Sequence, residues 1–256
     1  MGFDVNDKGL FIEDPRKKGH YHPRIAAHSE GYQYLDDARK STFDNIYTDF
    51  FYHRHNQFWK ETALKKLPEL LDSTRMLACG EDLGMIPATV PEVMDELKIL
   101  SLEIQRMPKS VEETFANPAN YPYLSVCTTS THDMNPIRAW WEEDRSLTEQ
   151  FVAEMLHEGG VDSTFCEPLV AKKILQQHLS SPAMLTILPL QDWLAMDGEL
   201  RLEGEKWVGC DQERINVPAN SRHYWRYRMH LSVEQLLLSE NFNNSVRDMI
   251  VNSGRN

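Results

Sequence analysis

The sequence predicts an α/β protein with parallel strands, and two observations predict it. From Arg75 onward, short apolar runs alternate with stretches of helical periodicity, the rhythm of strand–helix repeats. Three of the four apolar runs end in polar groups able to do chemistry: Glu81-Asp82, His132-Asp133 and Gln191-Asp192. Reactive groups at the C-terminal ends of several strands are the habit of a (β/α)8 barrel. The expected architecture is therefore the C-terminal part of a (β/α)8 TIM barrel, about four βα units, after a long helical and irregular N-terminal segment. Four strands cannot close such a barrel, so the sequence reads as incomplete.

Each element has its own signal. Residues 1–41 carry no steady period: a basic Arg16-Lys17-Lys18 run lies between Pro15 and Gly19, and His20-Tyr21-His22-Pro23 follows. They read as an irregular insertion segment, with 42–256 as the barrel portion. Between Thr42 and Leu71, the residues Phe43, Tyr47, Phe50, Phe51, Phe58, Trp59 and Leu64 recur at roughly helical intervals. This predicts a long amphipathic helix ending near Pro68. Arg75–Gly80 reads as a strand, Pro91–Leu97 as a helix with its proline in the first turn, and Leu100–Arg106 as an alternating strand. Leu124–Thr129 is a third strand. Asn135 is placed to cap a helix that starts at Pro136 and runs through Trp140-Trp141. Helices follow over Leu147–Leu156 and Pro168–His178, then a buried-type strand over Ala183–Leu188, and a closing helix from Val233 to Val251.

Composition narrows the function. The chain has 256 residues, 41% hydrophobic and 10% aromatic, enough for a substantial core. Its net charge of −12 repels phosphate backbones and anionic lipid heads, which argues against nucleic acid and membrane partners. No apolar run approaches the ~20 residues of a membrane span. Met1-Gly2-Phe3-Asp4 lacks the regions of a secretory signal, and Asn6 stands where myristoylation wants serine or threonine. A cytoplasmic location is expected. Cys79, Cys127, Cys166 and Cys210 are widely scattered without a Cys-x-x-Cys pair, so they read as reduced core thiols and not as a zinc site.

Two carboxyl groups stand out. Glycosyl transfer with retention needs one carboxylate as nucleophile and one carboxyl as acid, then base. Glu81, at the mouth of an apolar strand, is the candidate acid/base; partial desolvation there would keep it protonated. The competing reading makes Glu81-Asp82 a turn cap. Asp133 could brace an oxocarbenium-like transition state, or merely anchor its loop with His132 beside it. A metal-binding His-Asp pair of phosphohydrolase type fits less well, because the preceding residues read as strand. His53 and His55 face different sides of a helix, and His20 and His22 lack further ligands, so no metal is assigned. Trp140, Trp141 and Trp225 could stack on sugar rings, although such tryptophans more often fill cores. The run Arg222–Arg228 has the basic and aromatic makeup of a single-strand nucleic-acid platform, against the acidity of the whole.

Taken in order, these segments resemble the amylomaltase, or disproportionating-enzyme, family of 4-α-glucanotransferases (glycoside hydrolase family 77). Ala78-Cys79-Gly80-Glu81-Asp82-Leu83-Gly84 with Ile86-Pro87 looks like the acid/base strand, and Ile104-Gln105-Arg106-Met107-Pro108 like the strand after it. Thr131-His132-Asp133 with Arg138–Glu143 is similar to the segment of the stabilising aspartate. Leu190-Gln191-Asp192, Arg214-x-Asn216-Val217-Pro218 and Trp225–Arg228 resemble the closing part. The match runs from about Phe43 to the C-terminus and is nearest the long branch that includes plant transglucosidases. The resemblance implies Glu81 as general acid/base, Asp133 as stabiliser, and His132, Gln105 and Gln191 as substrate contacts. It implies α-glucan and maltooligosaccharide substrates and no cofactor. The family nucleophile is an aspartate in an Arg-x-Asp-His strand, and no such motif lies upstream of Glu81. An α-glucan hydrolase and a silent glucan-binding fragment are the alternatives. Met134 stands where many relatives have asparagine, and His223-Tyr224 precede Trp225 where bacterial members have Gly-Asn, so acceptor choice is expected to differ.

Overall fold

A computed structural model of the chain describes residues 9–27, 29–84, 86–157, 165–202 and 212–255. They form two compact units, drawn from Met1–Ala78 with Met85–Ile99 and from Cys79–Gly84 with Leu100–Asn256.

In the first unit the N-terminal segment is more ordered than its sequence suggests. Strands β1 (Phe11–Glu13) and β2 (Tyr21–Pro23) pair antiparallel, Phe11 opposite Pro23. Gly19 takes a φ of +79° in the connection, where a side chain would be strained. Helix α1 (Glu30–Gln33) starts at Ser29, whose hydroxyl accepts the Tyr32 N–H. Helix α2 (Asp37–Thr48) starts at Asp36, whose carboxylate accepts the Arg39 N–H. The hairpin gains a core because Phe43 of α2 closes over Leu10 and Ala26, with Phe11 and Tyr32 edge-on to its ring.

A π-helical turn (Asp49–Arg54) carries α2 into α3 (His55–Asp72). The expected stop near Pro68 is not observed, and α3 runs on to Asp72. Proline forfeits one backbone hydrogen bond inside a helix. Here Leu67 and Leu71, on either side of it, pack with Trp59 on the cluster of Val90, Met94 and Ile99, which offsets the loss. Helix α4 (Val90–Glu96) ends in a left-handed Lys98 (φ 57°), and the Ile99 N–H returns to the Met94 carbonyl at 2.9 Å.

The second unit holds a three-stranded parallel sheet, β3 (Ser101–Ile104), β4 (Ser125–Thr128) and β5 (Leu185–Thr186), in that spatial order. Ser101 lies opposite Ser125, and Val126 opposite Leu185. The α/β class with parallel strands thus stands, with differences in detail. Arg75–Gly80 supplies only a single bridge, Cys79 to Leu100. Met76 and Leu77 face water, so packing does not hold the run extended. Beyond it, the Asp82 carboxylate takes the Leu102 N–H at 2.9 Å and the ladder ends there. Between β3 and β4 the described chain has only a short 3-10 turn (Pro118–Asn120) instead of an α-helix.

Helices α5 (Ile137–Trp141), α6 (Arg145–Phe151) and α7 (Pro168–Leu179) follow β4. They bury Trp140, Trp141, Phe151, Ile174 and Leu175 in one core, so the tryptophan pair is structural. Asn135 does not cap α5; its amide goes to Glu143, and the free Ile137 N–H is taken by Asp192 at 2.7 Å. The expected strand 183–188 is reduced to two residues, because Pro189 cannot extend a ladder. Leu190-Gln191-Asp192 instead opens helix α8 (Leu190–Ala195). The closing helix is broken at Ser239 (ψ 67°) into α9 (Val233–Leu238) and α10 (Glu240–Asn252). Cys127 and Cys166 are buried as expected, but Cys79 is exposed; Cys210 lies outside the described residues.

Candidate active site

The sequence-predicted residues fall into an exposed set and a buried set. Glu81 is exposed, on the turn just past the Cys79 bridge, and its Oε1 accepts the Leu83 N–H at 2.8 Å. The desolvation expected of it is therefore not supplied by the residues around it. Its neighbour Asp82 is the buried one, at 2% exposure. Asp82 Oδ1 accepts the Leu102 N–H, while Lys109 Nζ donates to Asp82 Oδ2 at 2.7 Å and to Glu103 Oε1 at 2.6 Å. Ser101 donates a further hydrogen bond to Glu103 at 2.7 Å. Two buried carboxylates are thus tied through one ammonium, which anchors the turn that carries Glu81. Sequence reasoning did not single out Lys109 or Glu103. In the alternating run Leu100–Arg106, Glu103 falls at a position as polar as Ser101 and Gln105, so the sequence does not mark it as buried or as needing Lys109.

His132 and Asp133 lie on the loop after β4, both exposed, with His132 Nε2 3.1 Å from Asp133 Oδ2. The other carboxylate oxygen accepts from Asn216 Nδ2 at 3.0 Å. The Trp225 ring stands 5.0 Å from the His132 ring and is 59% exposed. The segment after Glu213 therefore delivers both an amide donor and an open aromatic face to this loop. An apolar ring face beside hydroxyl-binding groups suits a pyranose. Arg222–Arg228 otherwise remains irregular and largely exposed.

Gln105 and Gln191 lie beneath. Gln105 is 1% exposed and donates to Gln177 at 2.8 Å, and Gln191 donates to the Glu213 carbonyl at 3.3 Å. Among the described residues, Glu81 and the His132–Asp133 pair share no hydrogen bond or ion pair.

The buried charges have pronounced environments. Burial pushes the Glu213 carboxyl up to about 7, against the pull of Arg138, whose Nη1 donates to it at 3.3 Å. Burial pulls the Arg106 guanidinium down to about 10, still charged at neutral pH. It also pushes Asp192 up, while hydrogen bonds from Thr129, Ser130 and Ile137 and the charge of Arg106 oppose it. Among the described residues no group of three His, Cys, Asp or Glu side chains could hold a metal ion. Nor is any described helix long and apolar enough to cross a membrane.

A family model described as 4-alpha-glucanotransferase (glycoside hydrolase family 77) matches residues 25–233. The chain belongs to the 4-alpha-glucanotransferase family. A relative from Oryza sativa subsp. japonica, 4-alpha-glucanotransferase DPE2, is 37% identical over 99% of this chain and 26% of its own length. A 4-alpha-glucanotransferase of Chlamydia caviae is 32% identical over 72% of this chain and 34% of its own. The chain therefore spans about a quarter to a third of the length of these curated relatives. The solved amylomaltase from Streptococcus agalactiae in complex with acarbose aligns with a TM-score of 0.47 at 18% identity, over 69% of this chain and 32% of that one.

Proposed function

We propose that this chain is the acid/base-bearing part of a 4-α-glucanotransferase, which moves α-1,4-linked glucan segments between maltooligosaccharide or glycan acceptors. It would form the C-terminal part of a (β/α)8 barrel, with Glu81 and Asp133 on the strand-end loops. The observation that carries the reading is the loop after β4. In a chain of this family, that loop presents His132 and Asp133 together, with Asn216 holding the aspartate and Trp225 open beside it.

The chemistry follows from retention. Glu81 gives its proton to the glycosidic oxygen as the C1–O bond breaks, and a nucleophilic carboxylate bonds to C1. Glu81, now ionised, takes the proton of an incoming sugar hydroxyl as that oxygen bonds to C1 and the carboxylate departs. Asp133, oriented by Asn216, lies against the positive charge that develops on the ring in both steps. We assign the nucleophile to a carboxylate outside these 256 residues, in keeping with the missing Arg-x-Asp-His motif.

The test is a graft. This chain replaces the matching segment of the rice relative, and the product is incubated with maltotriose. Glucose together with longer oligosaccharides is expected from the graft, and neither from a graft carrying Glu81→Gln. Near-wild-type transfer by that variant would overturn the assignment of Glu81, and glucose without lengthened products would replace transferase by hydrolase. If the graft fails to fold, the same substitution at the aligned glutamate of the relative puts the acid/base assignment to the same test.

A further inference from the structure

The loop that carries His132 and Asp133 is spanned by two charged side chains, Asp192 buried and Arg106 partly buried. Asp192, fully buried at the start of α8, reaches both ends of it. Its Oδ2 accepts the hydroxyls of Thr129 at 2.5 Å and Ser130 at 2.9 Å, on the entering side. Its Oδ1 accepts the Ile137 N–H at 2.7 Å, on the leaving side. Arg106, just past β3, makes the same span with opposite charge. Its Nη2 donates to the Thr129 carbonyl at 2.7 Å and to the Asn135 carbonyl at 2.8 Å, with Nε also toward Thr129 at 3.3 Å. The guanidinium carbon lies 4.9 Å from the centre of the Trp140 ring, which fixes its plane.

We infer that Arg106 and Asp192 form a two-sided clamp that closes the loop from Thr129 to Ile137 and holds Asp133 in its working position. They are positioning residues, and the inference rests on the role proposed for Asp133. Three considerations support it. Within the loop the remaining described backbone ties are few: the Ser130 carbonyl takes the Thr128 hydroxyl at 2.8 Å at the entering end, and further along only the Met134 N–H to the Thr131 carbonyl at 3.3 Å and the Asp133 N–H to the Thr131 hydroxyl at 3.2 Å are found. A loop whose reactive side chains are exposed has little packing of its own to define it. A buried carboxylate is also costly to keep unless its acceptors are filled, and here both oxygens are filled by the two ends of one loop. Ordinary core packing would have been served by an apolar residue at 192. The carboxylate instead provides three acceptor bonds in fixed directions, which aligns a functional loop supported from beneath.

Hydrogen exchange on this chain reads the clamp without reference to catalysis. In Asp192→Asn, the amides of residues 130–135 and of Ile137 are expected to exchange at least tenfold faster, with those of β4 and α7 unchanged. Unchanged exchange in the loop overturns the clamp. A uniform rise across the unit also overturns it, by making Asp192 a general fold element. If Asp192→Asn does not fold, Thr129→Val with Ser130→Ala removes the same two bonds and is judged by the same outcomes. In the graft, Asp192→Asn is expected to lower kcat at least tenfold. It should cost no more than about twofold in a background already carrying Asp133→Asn, since the two act through one group. Full additivity overturns the link to Asp133. Faster exchange combined with an Asp133→Asn variant of normal kcat would keep the clamp and refute the catalytic reading.

Discussion

Asp133 and Asp192 are both aspartates tied to the loop after β4, yet their surroundings are opposite. Asp133 keeps a side chain 61% exposed, with one histidine and one amide beside it. Asp192 is 0% exposed, with three donors filling its oxygens. Glu81 and Asp82 repeat the contrast within one dipeptide, the first open to solvent and the second buried under Lys109. At each loop one acid stays exposed to solvent, and its companion is consumed in holding the backbone. The division explains how exposed reactive groups can be kept in place on irregular segments.

The sharpest way to break this contrast is to exchange the expected consequences. Glu81→Gln should lower transfer by the graft roughly 10³-fold, within the range for loss of a general acid, while stability changes little because the side chain is exposed. Loss of stability with retained turnover would invert the roles of the free and the buried acid.

The next largest effect concerns two histidines that differ in the same way. His132 is exposed on the loop, whereas His178 is fully buried in α7 and donates from Nδ1 to the Ile174 carbonyl at 2.8 Å. Burial pulls His178 down to about 4. A histidine depressed in the fold stays neutral there while the unfolded chain takes up its proton near pH 6.5. Its stabilisation is therefore complete above 6.5 and is lost as the pH falls towards about 4. The loss amounts to about 3 kcal/mol. Urea denaturation across that window should show it, and His178→Leu should remove it. A variant with the parent's pH dependence would show that the titration lies elsewhere.

Lys109 sharpens the picture at smaller magnitude. Lys109→Met leaves Asp82 and Glu103 facing each other without a cation. The full cost of an orphaned buried charge is discounted here because the lysine side chain is 29% exposed, leaving roughly 2 kcal/mol. The expected result is a lower urea midpoint, with Lys109→Arg recovering most of it. An unchanged midpoint in Lys109→Met would mean that water can replace the ammonium.

What could be read from the sequence follows the same divide. Glu81, His132 and Asp133 stand in short motifs whose order is specific, and the strands over 101–104 and 125–128 follow from period and composition. Asp82, Arg106 and Asp192 stand in the same motifs, but nothing local marks them as supports. Lys109 lies six residues past Glu103, and Asp192 reaches Ile137 across 55 positions, contacts that only the fold creates. The strand expected at 183–188 shows the limit of local reading. Its apolar run is real, but Pro189 and the helix beginning at Leu190 leave it two residues of pairing. The cap of α5 is another such case, since the sequence offers Asn135 and the fold supplies Asp192.

The smallest effect is expected at Trp225, and it tests the exposed side of the comparison directly. Its ring lies 5.0 Å from His132 and shows 59% of its surface to solvent, although a tryptophan gains most by burial. Residues 222–228 around it make no regular structure and contribute nothing to the apolar core centred on Trp141. The open face is the feature that the sugar contact proposed above would use. Trp225→Ala in the graft should raise KM about fivefold, near 1 kcal/mol of lost stacking, with kcat held within about twofold. Trp225→Phe should restore most of the affinity, because a flat apolar face is the feature required. Stability should not change in either variant, which separates this aromatic from Trp141, whose replacement by alanine should cost about 3–5 kcal/mol. A fall in kcat at constant KM would place Trp225 with the groups that act on the transition state, and would move the boundary between reactive and supporting residues into the 222–228 segment.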